Sequence, residues 1–119
     1  MADRPMPSMS KSPPALVERF GAVLDEFPQA TRKGMFGYPA AFVGGNLATS
    51  LFADRWVVRL PEAEAAAAME AGAGSFEPVP GRPMKGFVLV PLAEVDDDAA
   101  LRGWVERGLA HARSLPPKA

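Results

Sequence analysis

Three apolar runs separated by two turn signals fill residues 40–60, AAFVGGNLATSLFADRWVVRL. The first signal is the pair Gly44 and Gly45, because glycine accepts the positive φ angles of a tight hairpin turn. The second is the polar pair that begins at Asp54. The run after it, Trp56 to Leu60, is rich in β-branched and aromatic residues, which are enriched in strands. The stretch therefore predicts three consecutive antiparallel strands.

An amphipathic helix is predicted on the N-terminal side of these strands. Apolar residues recur at helical spacing from Leu16 to Phe27 and form one stripe. Ser12 is positioned to cap this helix, and Pro13 suits the first helical position because the N–H there needs no partner. Pro28 disfavours helical geometry at the residue before it, so we expect the helix to end at Phe27.

Two helices and a strand are predicted after the three strands. Residues 61–71, PEAEAAAAMEA, have a helix-forming composition, and residues 86–90, GFVLV, are the clearest buried strand. The last helix follows the acidic run Asp96 to Asp98 and carries an apolar stripe from Leu101 to Leu115. Gly108 lies on that stripe, where a missing side chain would allow close approach to a strand or helix.

Together these elements predict an α+β fold in the order α-β-β-β-α-β-α. We expect a mainly antiparallel sheet of about four to five strands, with the helices packed on one face. A weaker pattern at residues 32–36 would add an edge strand. Residues 1–11, MADRPMPSMSK, have no apolar period and are predicted to form a disordered tail. Residues 12–119 then form a single domain, which the length of 119 residues also favours.

The composition excludes several classes of function. A net charge of −1 gives no overall attraction to nucleic acid or to anionic lipid. The chain contains no cysteine, which excludes disulfides, thiolate nucleophiles and zinc–thiolate sites. Its N-terminal residues lack the apolar segment of a secretory signal, and no stretch is long enough to span a bilayer. We therefore expect a cytoplasmic protein without a membrane partner, and the sequence selects no oligomeric state.

Few residues could form a catalytic centre or a metal site. His111 is the single histidine and is predicted to lie at the edge of the last helix. The acids Asp96, Asp97 and Asp98 are consecutive, whereas a calcium loop spaces its ligands at alternate positions around a glycine. We expect these acids to cap the last helix and stabilise its dipole. No catalytic residue, metal ligand or cofactor is therefore predicted, and the pattern indicates a protein that is not an enzyme.

Basic residues near the predicted loops form the one pattern that indicates a ligand. If these loops converge at one end of the sheet, their guanidinium, ammonium and phenol groups would form an anion site. Alternatively the cations are solvated or pair with Glu62, Glu77 and Asp54, and surface pairs of that kind contribute little stability. The candidate ligand-binding residues are Arg32, Lys33, Tyr38, Arg59, Arg82 and Lys85.

Three motifs carry a resemblance to a known protein family. They are RKGMFG at residues 32–37, PAAFV at residues 39–43 and PGRPMK at residues 80–85. In this order and spacing the chain resembles the TfoX N-terminal domain family of bacterial proteins. The resemblance covers the chain from Ala15 to the C-terminus and implies a small α+β fold.

The resemblance also implies a link to TfoX (Sxy), a regulator of natural competence that works with the cyclic-AMP receptor protein. That regulator has a second, C-terminal helical domain, for which this sequence contains no candidate, so a stand-alone copy of the N-terminal domain is expected. Tyr38 stands where the family often has a glycine, which implies a different loop shape. The family has no established catalytic residues to transfer.

Three hypotheses for the function follow. The leading one is a non-enzymatic regulatory or protein-interaction domain, whose protein partner the sequence does not identify. The alternative is a small anionic-ligand or nucleic-acid binding module that uses the basic residues named above, although the net charge does not support nucleic acid. The third is an unrecognised enzyme, which would need His111 beside a carboxylate and a hydroxyl.

Overall fold

The computed structural model describes residues 11–35 and 37–118 and contains one six-stranded antiparallel sheet. The strands are β1 (Thr31–Met35), β2 (Tyr38–Val43), β3 (Asn46–Phe52), β4 (Arg55–Arg59), β5 (Gly74–Ser75) and β6 (Phe87–Leu89). The helices are α1 (Pro14–Leu24), α2 (Glu62–Glu70), α3 (Leu92–Val95) and α4 (Asp98–Ser114). Across the sheet the strands lie in the order β1-β2-β3-β4-β6-β5. The predicted α+β class and antiparallel sheet are confirmed.

The sheet has more strands than the four to five predicted. β1 is an edge strand that is exposed along most of its length, so its sequence needs no apolar alternation. β5 has two residues, too few to display a period. The order of elements is α-β-β-β-β-α-β-β-α-α rather than α-β-β-β-α-β-α. Of the tail predicted at residues 1–11, all but Lys11 lies outside the described residues, so the tail stays a prediction. Phe36, which belonged to the predicted edge strand, also lies outside them.

The central hairpin forms as the sequence predicts. Gly44 and Gly45 have φ angles of 58° and 81°, the left-handed values that a type I′ turn requires. The turn between β3 and β4 also uses a left-handed residue, Ala53, with a φ of 52°. Both turns are short, and so β2, β3 and β4 pair as consecutive antiparallel neighbours.

One residue of β3 has no partner in β2. Ala41 lies opposite Thr49, whereas the next residue, Phe42, lies opposite Leu47. The pairing therefore skips Ala48, which forms a β-bulge. A bulge increases the local twist and changes which face the following side chains occupy.

α1 is capped and terminated differently from the prediction. Ser12 does not cap the helix, because its hydroxyl donates a hydrogen bond to the Ala53 carbonyl oxygen at 2.6 Å. The helix ends at Leu24 rather than Phe27, since the N–H groups of Glu26 and Phe27 bond to carbonyls three residues back, as in a tightened last turn. Phe27 nevertheless remains buried in the core.

The acids before α4 cap it as predicted and also join it to α1. Asp97 is the N-cap residue, and its side chain accepts a hydrogen bond from a first-turn N–H at 3.0 Å. The hydrogen-bonding partners of the next charged residues lie across the helix pair rather than along α4. Asp98 accepts from Arg19 at 2.8 Å, and Arg102 donates to Glu26 at 2.6 Å.

The core lies between the sheet and the helices and contains a buried hydrogen-bonded tryptophan. Trp56 has no exposed surface, and its ring centroid is 5.1 Å from that of Phe20 in α1. The indole N–H donates to the Thr49 hydroxyl oxygen at 2.8 Å, and that hydroxyl donates to the Val57 carbonyl oxygen at 2.6 Å. Both buried donors are therefore satisfied.

α4 approaches β3 closely at Gly108, as the sequence predicts. A Cβ atom at this position would lie 2.6 Å from the Ala48 carbonyl oxygen and 3.0 Å from Cγ1 of Val58. These distances are shorter than an atom of that size allows, so a larger residue would push the helix away from the sheet. Gly103, on the same helix, has nothing within 4 Å of the equivalent position.

We expect Gly108→Ala to lower the free energy of unfolding by about 1–3 kcal/mol, because the added methyl group overpacks against β3. The matched control, Gly103→Ala, should raise the same quantity by up to about 1 kcal/mol, because alanine has the higher helix propensity. Urea denaturation followed by tryptophan fluorescence measures both values. Equal effects of the two substitutions would contradict the close approach.

We expect Thr49→Val to lower the free energy of unfolding by about 1–3 kcal/mol, because the buried Trp56 N–H loses its acceptor. Thr49→Ser keeps the hydroxyl and removes one methyl group, so it should cost about 0.8 kcal/mol. Thermal and urea denaturation of both variants provide the comparison. If serine proved as disruptive as valine, the hydrogen bond would not be the stabilising element.

Candidate functional site

Alternation along the strands divides the sheet into two faces. Trp56 and Val58 of β4 face the helices, since they contact α1 and α4 respectively. Arg59 therefore points to the opposite side, as does Phe87, which is paired directly with Arg59. We call this second side the open face. It is the face away from α1 and α4.

Residues 76–86 form a loop over the open face, which we call the flap loop. Its two arms are joined by a hydrogen bond from the Met84 N–H to the Phe76 carbonyl oxygen at 2.9 Å. At its tip the Arg82 N–H donates to the Val79 carbonyl oxygen at 2.9 Å, and the intervening glycine has a φ of 80°. Proline followed by such a glycine is typical of a type II turn. The flap loop is thus held by its own backbone.

A cavity of about 460 Å³ lies between the flap loop and the strands. Four aromatic rings follow one another along it. The ring centroids of Tyr38 and Phe52 are 5.2 Å apart, and those of Phe52 and Phe76 are also 5.2 Å apart. The centroid of Phe76 is in turn 6.0 Å from that of Phe87. We call this cavity the aromatic pocket, defined by Tyr38, Phe42, Leu47, Phe52, Phe76 and Phe87.

Cationic groups stand beside these rings. The Arg59 guanidinium lies 5.6 Å from the centroid of the Phe87 ring and lines the pocket. The Lys33 ammonium lies 5.5 Å from the centroid of the Phe42 ring. Both distances are within the range of a cation–π contact. Within residues 11–35 and 37–118, no carboxylate forms an ion pair with either cation, and the residues that line the pocket include no acid or histidine.

The segment after α4 borders the same pocket. The Lys118 N–H donates to the Gly44 carbonyl oxygen at 2.7 Å, and the Asn46 side-chain amide donates to the Pro116 carbonyl oxygen at 3.0 Å. A Cβ atom on Gly45 would lie 2.9 Å from the Cβ of Lys118. The paired glycines therefore serve both the hairpin turn and the seating of this segment. Lys118 thereby joins the lining of the pocket.

The first four predicted site residues are divided between two environments. Tyr38 and Arg59 line the aromatic pocket, and Lys33 stands beside it over the Phe42 ring. Tyr38 begins strand β2 and is buried, rather than standing in a loop as predicted. Arg32 turns to α1 instead, where its guanidinium donates to the Asp25 carboxylate at 2.7 Å. Asp25 is not one of the three acids that the sequence suggested as partners.

The other two predicted site residues, Arg82 and Lys85, are exposed on the flap loop. They flank Met84, which does line the aromatic pocket. Glu77, predicted as a partner for such cations, accepts a hydrogen bond from a backbone N–H of the loop tip at 3.1 Å. The six residues therefore do not share one cavity, and their joint role in binding an anion stays a prediction.

Only some residues of the pocket could be assigned to it from the sequence. Arg59 follows Val58 directly, so strand alternation alone puts it on the face away from the core. Phe76 lies among prolines and glycines, where no period indicates which surface it covers. The sequence pattern therefore does not distinguish a phenylalanine of the core from one of a ligand site. The pocket is recognisable only from the position of the flap loop in the structure.

His111 lies in a cleft that also includes Glu64 and Ser114. The Ser114 hydroxyl donates to the His111 backbone carbonyl oxygen at 2.6 Å, and the Glu64 carboxylate lies 3.5 Å from Arg107. Neither group is hydrogen-bonded to the imidazole in the part of the chain that the structure describes. Burial lowers the pKa of His111 below 6.5, and the positive charge of Arg59 lowers it further, while Glu64 opposes the shift.

No group of three or more histidine or acidic side chains that could hold a metal ion is found among the described residues. None of the helices within those residues is long and apolar enough to cross a membrane.

The lowered pKa of His111 predicts a loss of stability in mild acid. As the pH falls, His111 takes up a proton near pH 6.5 in the unfolded chain but only at lower pH in the folded chain. The free energy of unfolding therefore falls as the pH drops through 6.5. His111→Gln removes this titration. We expect the unfolding free energy of the variant relative to the wild type to rise between about pH 8 and about pH 5.

Urea denaturation at a series of pH values measures this difference. The pKa of Asp98 is lowered from 3.8 by its hydrogen bond to Arg19, so that pair loses its contribution only in stronger acid, outside the His111 window. A difference between variant and wild type that stays constant across the window would contradict the lowered pKa.

A family model described as the TfoX N-terminal domain matches residues 22–112. The match begins within α1 and ends within α4, so it includes the whole sheet and the flap loop. Searches of curated proteins and of solved structures gave no match. Because the matched residues make up most of the 119 in the chain, the chain belongs to the TfoX N-terminal domain family.

Proposed function

We propose that this family member is a non-enzymatic regulatory domain that acts by binding, and that the aromatic pocket is its binding site. The observation that carries the proposal is the pocket itself, an aromatic cavity of about 460 Å³ on the open face of the sheet. Ligand sites are commonly cavities of about 300–1,000 Å³, mostly apolar, with a few polar groups that orient the ligand. The aromatic pocket has this size and this composition.

The energetics of the pocket also favour an occupant. Burial of apolar surface stabilises by about 25 cal/mol per Å². In the free protein part of this stabilisation is missing, because four rings of the pocket are partly exposed to solvent: Phe42, Phe52, Phe76 and Phe87. A ligand that covers these rings recovers the gain, and the sheet beneath them is already ordered by backbone pairing. Binding therefore requires little reorganisation of the strands.

The chemistry of the lining supports binding over turnover. General acid–base catalysis needs a group that exchanges a proton near neutral pH beside the reacting atoms. Among the described residues, the pocket lining supplies cations and hydroxyl groups but no imidazole and no carboxylate. The family likeness to a competence regulator supports a regulatory role. In this proposal the domain is cytoplasmic, and a protein partner responds to whether the pocket is occupied.

Nucleic-acid binding receives less support from the placement of the basic residues. A strand of nucleic acid requires a continuous cationic groove with accessible aromatic rings. Arg32 is paired with Asp25 beside α1, whereas Lys33 and Arg59 are on the side of the pocket. These cations therefore do not follow a single path. A small ligand in the aromatic pocket accounts for the open face better.

We expect the protein to bind the neutral fluorescent probe N-phenyl-1-naphthylamine at one site, with enhanced emission from the apolar environment. Met84→Asp places a carboxylate in the pocket lining and should weaken this binding at least about tenfold, since a charge beside an apolar ligand loses solvation. Fluorescence titration measures both affinities, and circular dichroism checks that the variant is folded.

Met69→Asp provides the matched control. Met69 is 39% exposed and Met84 is 41% exposed, but Met69 lies on α2 and is not among the residues of the pocket. Its substitution should leave probe binding unchanged. Saturable binding that both variants weaken equally, or no saturable binding by the wild type, would contradict the assignment of the pocket as the binding site.

A further inference from the structure

We propose that the aromatic pocket takes a small amphipathic carboxylate, with an apolar body among the aromatic rings and a single negative head group at Arg59 and Lys118. This inference rests on the proposed function, because it names the ligand class of the same site. It follows from three properties of the pocket: its size, the arrangement of its rings and the sign of the charges in its lining.

The size and shape of the pocket define the body of the ligand. If each non-hydrogen atom takes about the volume of a liquid water molecule, about 30 Å³, then a cavity of this size holds roughly 15 such atoms. Each ring from Tyr38 to Phe87 is in contact with the next one along the pocket. An elongated or flat apolar body, such as a medium-length acyl chain or a small fused ring system, fits a row of this kind.

The charges of the lining define the head group. Arg59 and Lys118 both line the pocket, and Lys33 stands beside it over the Phe42 ring. Within the described residues none of the three forms an ion pair. No carboxylate of the described chain belongs to the lining. Among residues 11–35 and 37–118, the pocket therefore presents positive charge without a counter-charge.

Arg59 is the best-placed of these cations for a carboxylate. It lies at the end of β4, where pairing with Phe87 of β6 fixes its backbone, and its side chain is only partly exposed. A guanidinium group donates two parallel hydrogen bonds to one carboxylate, and such bonds are stronger where water is partly excluded. Lys118 is exposed at the rim and adds a second, more flexible positive charge.

The same arrangement discriminates against other ligands. A cationic amphiphile would bring like charge to Arg59, and a neutral alcohol would leave the guanidinium without a counter-ion. A ligand with several negative charges, such as a nucleotide, would place some of them against the aromatic rings, where burial of a charge is costly. One charge and one apolar body is the combination that satisfies both parts of the pocket.

Displacement of N-phenyl-1-naphthylamine by decanoate and by 1-decanol, each below its aggregation concentration, tests the inference. We expect decanoate to displace the probe at an at least tenfold lower concentration than decanol. Arg59→Gln should remove most of that preference, by raising the concentration of decanoate that displaces the probe toward that of decanol. Lys118→Gln should reduce the preference by a smaller factor, because its ammonium is more exposed.

Arg82→Gln is the matched control, since Arg82 is exposed on the flap loop and its loss changes the net charge by the same amount. It should leave the preference for decanoate intact. Equal displacement by decanoate and decanol, or equal effects of the Arg59 and Arg82 variants, would overturn the head-group assignment but leave the proposed function standing. Absence of probe binding by the wild type would remove both.

A peptide with an apolar C-terminal residue and a free carboxylate provides the last arm of the test. Displacement of the probe by this peptide but not by decanoate would assign the pocket to a protein partner and overturn the small-ligand proposal. Displacement by decanoate alone would support it.

Discussion

The close approach of α4 to β3 at Gly108 is the constraint on which the rest of the structure depends. Because this position carries no side chain, the helix reaches the Ala48 carbonyl and Val58 directly. The helix then covers the centre of the sheet, and Trp56 is sealed in the core beneath α1. With this side of the sheet closed by packing, the opposite side remains for the flap loop and the aromatic pocket.

Much of the fold could be predicted from the sequence, because its central elements carry strong local signals. Gly44 and Gly45 specify one turn conformation, and the run after Asp54 has clear strand composition. The position of Gly108 on an apolar stripe was sufficient to predict close packing. Strands β1 and β5 lacked such signals: the first lies at an exposed edge, and the second is held by pairing with β6 rather than by its own composition.

The candidate site was less predictable, for physical reasons that differ among its residues. Arg32 and Lys33 are adjacent in a strand and therefore point to opposite faces, which explains why they reach Asp25 and Phe42 respectively. The two-residue alternation of a strand is enough to predict these opposite orientations. The position of Phe76 is not predictable in this way, since the flap loop is shaped by turn geometry and by contacts with a sheet formed elsewhere in the chain. No local pattern encodes those contacts.

The bulge at Ala48 links the number of residues in β3 to the type of residue that fits at position 108 of α4. In an unbulged strand Leu47 would share a face with Thr49, whereas the extra residue turns Leu47 to the pocket side. The carbonyl oxygen of that extra residue is also the atom that would lie closest to a Cβ on Gly108. A relative that lost the residue would keep Leu47 on the pocket side yet lose the closest contact that excludes a side chain from the helix glycine. The two positions should therefore covary in evolution, as a deletion in one element accompanied by a larger residue in the other.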